Sequence, residues 1–147
     1  MSDDVLDSAI ILAAGLGERM RPLTTHTPKP LLYCGGKRLI EWHLEALARA
    51  GFSRVIINIS HLAEQFEPAL GDGSRWGVQI TWILQHSPDG LAHAVKIAQP
   101  FLGDEPFVMF LGDNVIQGGI ATLIRDFANH AWNSQIVLKE VENPSSF

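Results

Sequence analysis

The chain has 147 residues, 46% hydrophobic and 18% charged, with a formal net charge of −5. That length predicts one domain, residues 1–147, burying roughly 70% of its unfolded surface, and an acidic balance with no basic stripe excludes nucleic acid as the expected partner. No apolar run reaches membrane-spanning length, the acidic start Met1-Ser-Asp-Asp4 lacks a signal peptide's basic region, and a lone cysteine, Cys34, fits a reducing cytoplasm.

Strand-like and helix-like stretches alternate along the chain. Apolar or β-branched runs at Ser8–Ala14, Arg54–Ile59, Val78–Leu84, Phe107–Leu111 and Gln135–Val141 predict five strands. Between the first two, Ile40, Leu44 and Leu47 recur at helical spacing and Gly51 sits where that helix would stop. Further helices are expected at Leu62–Leu70, shortened or kinked near Pro68, at Leu91–Gln99 and at Gly119–Ala131. Near-continuous apolar strands separated by helices imply an α/β fold of Rossmann-like, three-layer type, with a mostly parallel sheet covered on both faces.

The richest segment follows the first strand: Leu12 to Pro30, LAAGLGERMRPLTTHTPKP. The run ends at Gly15-Leu16-Gly17, and a glycine turn there exposes backbone N–H groups and lets a ligand approach closely. Arg19, Arg21 and Lys29 follow, opposed only by Glu18, so the loop is locally positive and suits a polyphosphate. It is not the dinucleotide fingerprint, because Met20 stands where a third glycine is required. Nor is it a P-loop, because Gly36-Lys37 is followed by Arg38 and preceded by Leu31 at the first glycine position.

In open α/β sheets, ligands bind beyond the carboxyl ends of the strands. That rule brings together the glycine loop, Gln85 after the third strand and Gly112-Asp113-Asn114 after the fourth. Asp113 ends an apolar run, and a hard oxygen ligand there suits Mg²⁺, which takes one or two carboxylates plus phosphate oxygens. A helix or turn cap is its other reading. His86 and His93 have no carboxylate or cysteine at zinc-ligand spacing, and His93 reads mainly as packing or capping. Trp42, Trp76, Trp82 and Trp132 read as core or core-edge residues.

The string Gly15, Gly17, Arg19, Pro22, Thr24, Pro28, Lys29, Pro30 resembles the signature of the sugar-phosphate nucleotidyltransferases. Up to about Trp82, HTPKPLLYCGGKRLIEWHLEALARAG and LGDGSRWG are most similar to uridylyltransferases acting on N-acetylmuramic acid 1-phosphate. From Gln85 onward, GLAHAV, LGDEPFVMFLGDN and LKEVENP are more similar to long-type glucose-1-phosphate thymidylyltransferases. Arg38 departs from the family, which usually has Pro before the Leu-Ile opening the helix.

The resemblance implies transfer of a uridylyl or thymidylyl group from UTP or dTTP to a sugar 1-phosphate, with pyrophosphate leaving and Mg²⁺ as cofactor. Nucleotide contacts are then expected from Leu12, Ala13, Ala14, Gly15, Gly17, Arg19, Lys29, Gln85 and Gly90. Arg19 and Lys29 serve the phosphates and Asp113 the metal. Gln85 and Gly90 serve the base, since a carboxamide can pair with N3–H and a carbonyl of uracil or thymine. A nucleotide- or sugar-phosphate-binding module without turnover is the competing reading. Family domains are longer and add a second metal-binding Asp, so the expectation is the N-terminal portion of a domain, with Mg²⁺-dependent nucleotide binding that is weak at best, negligible turnover, and a tendency to oligomerise or aggregate through an unpaired sheet edge and uncovered apolar faces.

Overall fold

The computed structural model describes residues 6–87 and 89–146; the acidic start Met1–Asp4, Pro88 in the predicted base segment and Phe147 lie outside the described residues. In chain order the elements are β1 (Ser8–Leu12), β2 (Tyr33–Cys34), β3 (Lys37–Arg38), α1 (Leu39–Arg49), β4 (Arg54–Ile59), α2 (Phe66–Leu70), β5 (Gln79–Leu84), α3 (Leu91–Leu102), β6 (Phe107–Leu111) and α4 (Ala121–Ala128). Strands β5, β4, β1 and β6 form one sheet in that order, each neighbouring pair parallel. β2 and β3 make a separate antiparallel hairpin.

Side-chain alternation gives the sheet two apolar faces. On one, Ala9 and Ile11 of β1 and Val55, Ile57 and Ile59 of β4 pack with Leu44 and Leu47 of α1 and Phe66 and Leu70 of α2. Leu123 and Ile124 of α4 lie half-buried against the same cluster. On the other, Ile10, Leu12, Ile56 and Ile83 pack with Ala94, Ala98 and Leu102 of α3. The expected three layers follow. Each fully buried Ile or Leu contributes roughly 1.5–3 kcal/mol, so both faces need their helices.

Helix α1 forms where the stripe Ile40, Leu44, Leu47 predicts it, and all three are fully buried. The Arg38 backbone N–H donates to Glu41 Oε2 at 2.7 Å. A proline at that position could not make this bond. α2 is short because Leu62 turns left-handed and a 3-10 turn, Ala63–Gln65, precedes it. Pro68 fits inside its first turn, where a missing N–H costs nothing.

Strands β4 and β6 have the predicted bounds, whereas several other expectations change. β1 ends at Leu12, two residues early. α3 runs through Pro100 to Leu102, and α4 is shorter than predicted. The fifth predicted strand is absent: Gln135–Val141 has no strand pairing, and Ile136 and Leu138 are 77% and 87% exposed. β propensity without a neighbouring strand to bond leaves such a run irregular. Trp132 is exposed and stacks on His130 at 4.0 Å, so it belongs to no core. Among the described residues no helix is long and apolar enough to cross a membrane.

Candidate functional site

From β1 the chain steps to β4 and then β5 on one side, and α3 carries it back to β6 on the other side of β1. The direction of winding therefore reverses between β1 and β6, and a crevice opens at their carboxyl ends. The glycine loop and Gly112-Asp113-Asn114 flank that crevice.

The two loop glycines are needed for different reasons. Gly17 has φ 64° and ψ 29°, in the left-handed region. The buried Thr24 hydroxyl donates to Gly17 O at 2.7 Å, and a Cβ on Gly17 would stand 2.8 Å from Thr24 Cγ2. Gly17 and Thr24 thus set the shape of the turn. A Cβ on Gly15 meets no protein atom within 4 Å, and its φ is not positive. Packing does not require that glycine; the space beside it faces the cleft.

The three cations separate. Arg19, exposed in the 3-10 turn Glu18–Met20, lines the cleft. Arg21 points to Glu18 at 3.9 Å and is no part of the lining. Lys29 stands between the buried rings of Pro28 and Pro30, which fix the 3-10 turn Lys29–Leu31 and aim its stem across the crevice. Its Nζ donates to Asp113 Oδ2 at 2.8 Å. Both side chains keep partial exposure, so the pair contributes no more than about 1 kcal/mol of stability.

Asp113 is held by the close approach of β1 and β6. The Gly112 N–H donates to Leu12 O at 2.9 Å, and a Cβ on Gly112 would lie 2.7 Å from that oxygen. Only glycine allows the contact. Beneath the turn, His43 of α1 donates from Nε2 to Asn114 O at 2.7 Å and sits edge-on to Phe110. Burial lowers the His43 pKa below its ordinary value, chiefly by desolvation, so the ring is held neutral. Sequence reading passed over His43. Its one signal is position, because it continues the buried stripe of Ile40, Leu44 and Leu47.

The opposite wall is less polar. Gln85 is 5% exposed rather than solvated, its N–H donates to Ile59 O at 2.8 Å, and its Nε2 lies 3.3 Å from His93 Nδ1. Gly90, with φ 90°, opens α3 beside it. Asn58 of β4 was also missed, a lone amide in the run RVIINI.

Together these walls enclose a cleft of about 600 Å³. Every residue expected at the site lines it: Leu12, Ala13, Ala14, Gly15, Gly17, Arg19, Lys29, Gln85, Gly90 and Asp113. Among the described residues no three His, Cys, Asp or Glu side chains cluster as a self-sufficient metal site. Asp113, partly exposed at the cleft, suits a hard cation that completes its shell with water and phosphate oxygens.

The chain spans less than half the length of the curated relatives it matches. It is 54% identical over 110 residues to the N-acetylmuramate alpha-1-phosphate uridylyltransferase of Neisseria meningitidis, covering 71% of this chain and 46% of that protein. It is 44% identical over 140 residues to a glucose-1-phosphate thymidylyltransferase of Streptomyces antibioticus, covering 95% of this chain and 39% of that one. Its fold superposes with a TM-score of 0.79 and 30% identity on a Bacillus anthracis protein described as a glucose-1-phosphate thymidylyltransferase, covering 85% of this chain and 51% of the other. Residues 8–147 match the nucleotidyl transferase family model, which begins at the first residue of β1 and takes in both walls of the cleft. On that match and these identities, the chain belongs to the nucleotidyl transferase family.

Proposed function

We propose that this cleft binds a pyrimidine nucleoside triphosphate, UTP or dTTP, with Mg²⁺, and that the intact protein transfers the nucleotidyl group to a sugar 1-phosphate, releasing pyrophosphate. One observation carries the reading. The glycine loop, Arg19, Lys29 and Asp113 come from separated parts of the chain and converge on one crevice at the winding reversal, with Gln85 and Gly90 on its far side. The names of the relatives, uridylyl- and thymidylyltransferases, support the same chemistry.

In this reading Gly15 leaves room for the phosphate chain to approach the backbone. Arg19 receives the triphosphate and the departing pyrophosphate, and Lys29 the α-phosphate and the incoming sugar phosphate. Asp113 would hold Mg²⁺ with phosphate oxygens and water; when bound there, the ion supplies charge neutralisation. Phosphoryl-type transfers depend mainly on alignment and electrostatic stabilisation, which this residue set provides without a protein nucleophile. Lys29 must exchange its Asp113 partner for phosphate oxygens when nucleotide enters. Gln85, already desolvated, offers its amide to the base. Cys34, exposed and alone, fits a reducing cytoplasmic setting.

The test is pyrophosphate release by the intact protein incubated with UTP or dTTP, Mg²⁺ and a panel of sugar 1-phosphates. Release with one pair of substrates supports the transferase. Nucleotide binding with no release from any pair would favour a non-catalytic binding module.

A further inference from the structure

Asn58 is 0% exposed, yet neither Oδ1 nor Nδ2 of its side chain has a hydrogen-bond partner. A buried amide left unpaired is costly, and strand β4 otherwise carries only apolar residues inward. Its backbone is fully used: Asn58 O accepts the Ala13 N–H at 2.9 Å, and the residue pairs in register with Leu12 and Ile83. The amide therefore does nothing for the sheet. Two residues beyond Ile56, its side chain faces the α3 side, where the residue borders the cleft with Leu12, Ala94 and Gln85; both amide atoms are closed off from water, so a ligand reaches them by displacing a neighbouring side chain.

Resting on the nucleotide reading above, we propose that Asn58 is a second nucleoside-recognising amide, which hydrogen-bonds the uncharged base-and-ribose end of the bound nucleotide beside Gln85. The division of the cleft decides which end it serves. The charged side chains Arg19, Lys29 and Asp113 occupy the β1–β6 crevice, where phosphates belong. Asn58 sits one strand away, between β1 and β5, on the wall that holds only neutral donors and acceptors. An amide carries two donors and one acceptor, which match the carbonyl, imino and hydroxyl groups of a pyrimidine nucleoside. Neither phosphate nor a cation is served by a neutral amide in an apolar wall.

The experiment compares the chain with Asn58→Leu and Asn58→Ala by calorimetric titration with UTP, dTTP and inorganic tripolyphosphate in Mg²⁺, and by thermal melting without ligand. Removing an unpaired amide for a side chain of similar shape should leave the ligand-free melting temperature of Asn58→Leu unchanged or raised. Its affinity for UTP or dTTP should fall about tenfold, while tripolyphosphate binds as before. A role held by internal packing or a buried water predicts the reverse, a lower melting temperature with nucleotide affinity intact, and that result overturns the inference. Equal loss of tripolyphosphate binding would also overturn it. On the unaltered protein, the Asn58 side-chain ¹⁵N resonance should shift with UTP or dTTP and stay in place with tripolyphosphate; an unmoved resonance in saturating nucleotide refutes the contact even if both variants misfold. Failure of the unaltered chain to bind any nucleotide defeats the nucleotide reading itself, and this inference with it.

Discussion

Gly15 and Gly17 stand two residues apart in one loop, and alanine should act on them in opposite ways. At Gly17 the left-handed backbone, φ 64°, costs an L-residue about 1–2 kcal/mol. The added methyl would also sit 2.8 Å from Thr24 Cγ2 and 3.1 Å from Thr24 Cβ, both in a buried side chain already tied to Gly17 O. Relieving that overlap adds on the order of 1 kcal/mol. Gly17→Ala should therefore lose about 2–3 kcal/mol, a melting temperature lower by roughly 5–10 °C for a chain of this size. At Gly15 the methyl meets open space and φ is not positive, so stability should hold or rise by up to about 1 kcal/mol through reduced freedom of the unfolded chain. The same methyl enters the space proposed for the phosphates, and UTP or dTTP affinity should fall at least about tenfold, or roughly 1.4 kcal/mol. Differential scanning calorimetry and nucleotide titration on both variants provide the test. A Gly15→Ala protein that binds nucleotide like its parent, or a Gly17→Ala protein as stable as its parent, refutes the division of labour.

Lys29→Ala and Arg19→Ala should each lower kcat/KM of the intact protein by orders of magnitude while shifting urea midpoints little, since both side chains are solvent-accessible; near-parental kinetics would refute the phosphate roles. Asp113→Asn, nearly isosteric, should abolish Mg²⁺-dependent turnover with poor rescue by added magnesium, and activity persisting in EDTA would sink the metal assignment. His43 is held neutral by burial, so the unfolded state binds its proton more readily than the folded one. Its contribution to stability should be full above about pH 6.5 and decline as the pH falls below that value towards its depressed folded pKa. Urea unfolding of the parent and of His43→Asn between pH 8 and pH 5 measures this, and identical slopes would contradict it.

Local patterns were legible wherever a residue's requirement is met by its own neighbours in sequence. The apolar runs gave β4 and β6 their bounds, the stripe of Ile40, Leu44 and Leu47 gave α1, and the glycine string with Arg19 and Lys29 pointed to phosphates before any fold was known. Gln135–Val141 shows the limit of that reading. A strand pattern states what a segment can pair with, but pairing requires an adjacent edge, and this segment meets none among the described residues. The apolar run also left β1 two residues too long, since Ala13 bonds to Asn58 O while the chain leaves the sheet.

By itself the sequence determined the chemistry on offer: backbone donors at a glycine loop, three cations, one carboxylate at a strand end and one amide after another. Which of these groups meet was decided only by tertiary structure. Lys29 and Asp113 are 84 residues apart and become an ion pair at 2.8 Å because β1 and β6 lie side by side and Gly112 lets their ends touch. Arg21, equal to Arg19 on sequence grounds, turns away to Glu18. His43 and Asn58 carry no local motif, and both stand out only through burial. A polar group removed from water must find a partner, and whether that partner exists depends on elements distant in the chain. For His43 Nε2 it is the carbonyl of Asn114, 71 residues away, while Nδ1 stays unpaired. For Asn58 the folded chain supplies none, and the cleft beside it is where one can enter.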